Sequence, residues 1–125
     1  MAFSILCVDD EEPIRALFKS VLKNTGITIH TADNGVDALV KVKELNPDMV
    51  FLDIAMPKMK GDEALPLIRE INPDIAVVIV SGYVSEDQAR ELLAKGAYDF
   101  LGKPLDLKYL RDLIAQQKFE KETLK

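Results

Sequence analysis

The sequence predicts one doubly wound α/β domain built on a parallel five-stranded sheet, a (βα)5 arrangement. Two observations carry this. Five short apolar, β-branched runs alternate with stretches of helical periodicity, so a helix crosses over between each strand and the next. The fourth run contains Val77-Val78-Ile79-Val80, apolar at every position, as a strand covered on both faces must be.

The elements follow in order. The first strand is "FSILCV" (3–8), and Pro13 starts a helix whose stripe is Ile14, Leu17, Phe18, Val21 and Leu22. Gly26 is its expected stop. "ITIHTA" (27–32) is the second strand, read as an edge, and a helix near 35–45 carries Val36, Leu39, Val40, Val42 and Leu45 before Pro47. "DMVFLD" (48–53) is the third strand. The helix after it, near 62–71, carries Leu65, Leu67, Ile68 and Ile71, with Pro66 expected to distort its start. "IAVVIVS" (75–81) is the fourth strand. Ser85-x-x-Gln88 opens the next helix as a capping box and Gly96 ends it. "AYDFLG" (97–102) is the fifth strand, and the last helix opens at Asp106 and spans 106–118. The whole chain, 1–125, reads as one domain with a core of about 1–118 and a frayed tail at 119–125.

Composition narrows the function classes. The chain has 125 residues, 48% of them hydrophobic and 30% charged, which is globular rather than disordered. A net charge of −5 without a Lys/Arg stripe argues against direct nucleic-acid binding. No signal peptide and no membrane-length apolar run is visible, and the single Cys7 cannot form an internal disulfide. A reducing cytoplasm is the expected location.

In a doubly wound sheet, ligands bind outside the carboxyl ends of the strands. The residues there are Asp9-Asp10 after the first strand, Asp53 after the third, Ser81-Gly82 after the fourth and Lys103-Pro104 after the fifth. Each has a plain reading alone: a negatively charged first helical turn, an Asx turn before Pro57, a loop hydroxyl, a surface charge. Their joint occurrence at four strand ends favours one site. Clustered carboxylates fit Mg²⁺, a hard cation that takes oxygen ligands. A metal-backed carboxylate can attack an electrophilic phosphorus to give an aspartyl phosphate. Lys103 would then neutralise a phosphoryl oxygen, Ser81 would donate to another, and a cis Lys103-Pro104 bond would aim the ammonium over the site.

"VDDEE", "FLDIAMPKMKGDEAL", "VIVSGY" and "GAYDFLGKPLD" together resemble the receiver domain of bacterial two-component response regulators, the CheY-like, flavodoxin-like fold. The resemblance covers essentially the whole chain and implies the strand order 2-1-3-4-5. It implies Asp53 as phosphoacceptor and Asp9, Asp10 and Asp53 as Mg²⁺ ligands, with the carbonyl of Ala55. Ser81 and Lys103 would contact the phosphoryl group, and Ser81 and Tyr98 would form the switch. Glu11 and Glu12 are assigned only the role of a negative first helical turn. Tyr83, two residues after Ser81, is expected to shield the aspartyl phosphate.

The implied function is a phosphorylatable receiver that takes its phosphoryl group from a sensor histidine kinase or phosphotransfer protein. It would then switch a surface made by the fourth helix, fifth strand and fifth helix. The output is a separate protein, the receiver's own effector domain or a phosphorylation-dependent homodimer. No enzyme activity is expected beyond self-catalysed phosphorylation and dephosphorylation. Rival functions fit less well. An aspartate-nucleophile phosphatase would carry D-x-D-x-T after the first strand, and a flavin binder would carry a Ser/Thr/Gly phosphate loop there. A receiver-like module without chemistry would not need the full set of site residues.

Overall fold

The computed structural model describes residues 2–56 and 58–123. Five strands and five helices alternate: β1 Ser4–Val8, α1 Glu12–Val21, β2 Thr28–Ala32, α2 Gly35–Leu45, β3 Met49–Asp53, α3 Gly61–Ile71, β4 Ala76–Ser81, α4 Glu86–Ala94, β5 Asp99–Gly102 and α5 Leu107–Thr123. All strand pairs are parallel and the order is β2-β1-β3-β4-β5. This is the flavodoxin-like arrangement, with β2 and β5 at the edges. The order first reverses at β1, between β2 and β3, and the acidic strand ends of β1 and β3 are therefore neighbours.

Strand alternation divides the core in two. One face packs Ile5, Cys7, Met49, Phe51, Val78 and Val80 against Phe18 of α1 and Leu110, Leu113 and Ile114 of α5. The Phe18 and Phe51 rings meet there at 5.0 Å between centroids, tilted by 54°. The other face packs Leu6, Val8, Val50, Leu52, Val77 and Ile79 against Ala38 and Val42 of α2, Ala64, Leu65 and Ile68 of α3 and Leu92 of α4. Cys7 lies fully inside the first layer, where burial pushes its thiol well above the usual range. It is packing, not a nucleophile.

The local signals behave as their chemistry dictates, with four differences. Ser85 caps α4, its Oγ accepting the Gln88 N–H at 3.1 Å. Asp106 accepts the Tyr109 N–H at 3.1 Å at the start of α5. First, α1 stops at Val21, and Gly26 (φ +81°) belongs to the turn that follows. Second, α2 buries Gly35, Ala38 and Val42, and leaves Val36, Val40 and Leu45 exposed. Gly35 lies against Met59, where a Cβ would stand 2.6 Å from the Met59 carbonyl oxygen, and Ala38 and Val42 join the core, so the buried stripe is not the one its largest side chains mark. Third, Pro66 sits well inside α3, which continues through it to Ile71.

Fourth, α5 runs to Thr123 instead of fraying after 118. Its last turns are tied down: Gln117 is buried and donates to Glu120 Oε2 at 2.9 Å, and Lys121 pairs with Asp48 at 3.3 Å. The expected frayed ends Leu124 and Lys125, and Pro57 of the Asp53 loop, lie outside the described residues. No helix of the described residues is long and apolar enough to cross a membrane.

Candidate functional site

The site forms where β1 and β3 end. β1 carries the chain out of the core at Val8, and Asp9 extends the pairing by donating its N–H to the Ala32 carbonyl at 3.0 Å. The Asp9 side chain then turns inward. Its Oδ1 accepts the Glu11 N–H at 2.9 Å, and Arg15 of α1 donates to its carbonyl at 2.7 Å. Asp9 is 1% exposed and Asp53 2%, two buried carboxylates from adjacent strands. Asp10 stays exposed beside them. One carboxylate oxygen each of Asp9, Asp10, Glu11 and Asp53 lies within 4.8 Å of the others.

Beyond Asp53 the chain folds back at once. Ala55 donates its N–H to Asp53 Oδ1 at 3.1 Å, and Gly61 donates to the Ile54 carbonyl at 3.2 Å. The start of α3 is thereby drawn against the end of β3. A Cβ on Gly61 would lie 2.4 Å from the Asp53 carbonyl oxygen, so only glycine fits there. That is the physical content of the glycine in D-I-x-M-P-x-M-x-G.

Lys103 arrives from the far side, after β5, on a cis Lys103-Pro104 bond as expected. Its Nζ lies 2.6 Å from Glu11 Oε2, 3.0 Å from Asp9 Oδ2 and 3.4 Å from Asp53 Oδ2. Burial alone would lower the ammonium's pKa. Its contacts with Glu11 and Asp9 and the charges of Asp53 and Asp9 more than reverse this, and Lys103 is held above its ordinary value as a permanent cation. Asp53 shifts upward, chiefly through burial; the Ala55 N–H and Lys103 oppose the shift and Asp9 adds to it.

The donor set fits a hard divalent cation. Asp9 Oδ2 is buried and receives no hydrogen bond among the described residues; Lys103 touches it as a charge at 3.0 Å, off the hydrogen-bonding direction. A buried carboxylate oxygen left in that state is costly unless something else engages it. With Asp10 and Asp53 alongside, the site offers the carboxylates that a magnesium ion takes.

Three sequence expectations are revised by position. Tyr98 lies outside β5, just before it, and its N–H pairs with the Val77 carbonyl at 2.7 Å. Its side chain packs with the α1/α5 layer and lines an open groove of about 860 Å³ with Phe3, Asp48, Ile75 and Ala76. That groove is at the amino ends of the strands, opposite Asp53. Phe100 is better placed to respond to Ser81. It pairs with Ile79, two residues before Ser81, and packs in the α2/α3/α4 layer with Val84 and Leu92. Strand alternation puts Ser81 on that same face. The register of the folded sheet supplies this: Phe100 stands two residues before Gly102, which pairs with Ser81.

The Tyr83 side chain is 80% exposed, so little in the fold holds its ring over Asp53 as a shield. Its backbone instead holds Ser81: the hydroxyl donates to the Tyr83 carbonyl at 2.9 Å and accepts the Tyr83 N–H at 3.2 Å. Glu11 is more than a residue of a negative helical turn, because its carboxylate takes the shortest contact of Lys103. Glu12 does sit in the first turn of α1.

The profile of the response regulator receiver domain matches residues 5–115. The chain belongs to the response regulator receiver family. Among solved structures, this receiver superposes on a CheY-like response regulator receiver domain protein from Methanospirillum hungatei JF-1 with a TM-score of 0.93. The two are 26% identical, and the match covers 100% of both chains. It is 36% identical over 110 residues to sporulation initiation phosphotransferase F of Bacillus subtilis, covering 88% of this chain and 89% of that one. It is also 36% identical over 121 residues to regulatory protein AtoC of Escherichia coli, covering 97% of this chain and 26% of AtoC. The receiver thus spans about a quarter of that longer relative.

Proposed function

We propose that this receiver accepts a phosphoryl group on Asp53 and changes its α4–β5–α5 surface in response. One observation carries the reading: a buried Asp53 at the end of β3 with the Lys103 ammonium 3.4 Å away and, beside it, a buried Asp9 oxygen that receives no hydrogen bond among the described residues and has only the charge of Lys103 at 3.0 Å. One Asp53 oxygen attacks phosphorus as the bond from phosphorus to the donor breaks. With a phosphohistidine donor, the leaving imidazole nitrogen takes a proton. Lys103 offsets charge on the phosphoryl oxygens. Asp9, Asp10 and Asp53, with the Ala55 carbonyl, would hold Mg²⁺, which when bound supplies the positive charge that lets an anionic donor approach a carboxylate.

The donor class is a sensor histidine kinase or a phosphotransfer protein, in keeping with the resemblance to two-component regulators. The chain acts as the phosphoacceptor of a relay in the cytoplasm, and its only catalysis is of its own phosphorylation and dephosphorylation. Its output partner is another protein, an attached effector domain or a second phosphorylated copy.

Switching begins at Ser81. In the unphosphorylated state its hydroxyl is spent on Tyr83. A phosphoryl oxygen is a stronger acceptor, and Ser81 leaves Tyr83 to donate to it. The space vacated on the α4 side is open to Phe100, at the centre of β5. Incubation with a small-molecule phosphodonor and Mg²⁺ tests the reading by intact mass. One phosphoryl group should add to the wild-type chain and none to Asp53→Asn; equal labelling of both would overturn it.

A further inference from the structure

Lys103 has three carboxylates within reach, and the shortest contact is not to the proposed phosphoacceptor. Nζ is 2.6 Å from Glu11, 3.0 Å from Asp9 and 3.4 Å from Asp53. Asp9 and Asp53 are fixed in the core. Glu11 is the N-cap residue of α1, and its side chain is 58% exposed, while that of Lys103 is only 17% exposed. Glu11 makes no capping hydrogen bond with its side chain. The carboxylate is thus free of any local duty and reaches across to the loop after β5. The contact spans 92 residues of sequence and joins the α1 entry to the β5 exit.

From this geometry we propose that Glu11 is a positioning residue that holds the Lys103 ammonium in the unphosphorylated state and yields it when a phosphoryl group arrives. The inference rests on Asp53 being the phosphoacceptor. An ammonium has three donors, and a bound phosphoryl group adds acceptor oxygens beside Asp53. Lys103 can serve them best by loosening its hold on the one partner that is not buried. Glu11, solvated on its open side, loses little when released. Asp9 and Asp53 are buried and have no water to return to, so their release from Lys103 depends on a metal taking up their oxygens, whereas that of Glu11 does not. Glu11 therefore competes with the phosphoryl group for one cation, and its removal should favour the phosphorylated form. Two features of the carboxylate must be separated: its charge, and its reach to Lys103. Glu11→Asp keeps the charge and shortens the reach by one methylene.

The experiment uses beryllofluoride at saturating Mg²⁺ as the phosphoryl mimic, titrated into the wild type, Glu11→Gln and Glu11→Asp. The lysine ammonium resonances are followed by NMR. The expected result is tighter beryllofluoride binding in both variants, by about threefold to fivefold, the scale of an exposed ion pair. The Lys103 resonance of both unliganded variants should shift toward its position in the wild-type complex. Tighter binding in Glu11→Gln with Glu11→Asp unchanged would mean charge alone acts, and would overturn the positioning role. Wild-type affinity in both variants would overturn it as well. If the wild-type protein neither binds beryllofluoride nor takes label on Asp53, the receiver chemistry itself fails. If it does both and the variants match it, only the assignment of Glu11 fails.

Discussion

Gly61 lies against the backbone of Asp53 so closely that a Cβ at 61 would stand 2.4 Å from the Asp53 carbonyl oxygen. The first residue of α3 is thereby locked to the last residue of β3, and the Gly61 N–H completes the join on Ile54. Gly61→Ala forces the two apart. The expected cost is about 1–3 kcal/mol, the range for overpacking a tight site. Chemical denaturation should show a lower midpoint, and Mg²⁺-dependent labelling should slow because Asp53 moves with its backbone. Wild-type stability in Gly61→Ala would contradict the closeness of this contact.

Asp53 carries a stability cost when ionised. Its pKa in the folded chain is raised, chiefly by burial. A raised folded pKa contributes stability that is fully present below the unfolded pKa and is lost as pH rises through the folded value. Without Mg²⁺ that contribution falls away as pH rises through the folded pKa, and Asp53→Asn, which cannot ionise, should gain on the wild type in melting temperature as pH rises, by about a few degrees for a small domain. The gap should narrow as pH falls toward the ordinary aspartate range, about 4. Thermal melts of both proteins across this range check the sign. An Asp53→Asn chain that loses ground to the wild type as pH rises would contradict it.

Tyr83 and Ser81 are joined through the backbone of Tyr83, not its ring. Tyr83→Ala should therefore leave the rate of phosphoryl loss within roughly twofold of wild type, as most exposed substitutions do. Decay of the labelled species by mass provides the measure. A large acceleration would restore the shielding role that the sequence suggests for this ring.

Phe100 and Ser81 share the α4 face of the sheet, whereas Tyr98 packs with the α1/α5 layer. Adding beryllofluoride should move the Ser81 amide and the Phe100 ring signals and the residues of α4 around Leu92. Tyr98 should respond less. A large Tyr98 response with Phe100 silent would return the switch to the residue the sequence resemblance implies.

Most of the fold was legible because its signals are local. Apolar runs such as Val77–Val80 fix the buried strands, and Ser85 and Asp106 mark helix starts by the oxygens they offer. Strand order was not local and came only through the resemblance. The site was legible because ligands gather at strand ends, so Asp9, Asp53 and Lys103 could be paired before their distances were known. The misses are cases where neighbours outweigh residue type. Val36 and Val40 look like core, but α2 buries Gly35 against Met59 and Ala38 and Val42 in the core, and leaves both valines exposed. Tyr98 has the chemistry of a switch, but it stands before β5 at the amino ends of the strands, away from Asp53, and packs with the α1/α5 layer. Glu11 reads as a helix-start charge, and only the folded chain brings Lys103 to it across 92 residues.

The most direct measurement locates the phosphoryl group. After reaction with a small-molecule phosphodonor and Mg²⁺, borohydride reduces an aspartyl phosphate to homoserine, and peptide sequencing by mass spectrometry finds where. The account predicts homoserine at position 53 and at neither Asp9 nor Asp10. Homoserine elsewhere with position 53 still aspartate, or no conversion in a chain that binds Mg²⁺, would contradict it.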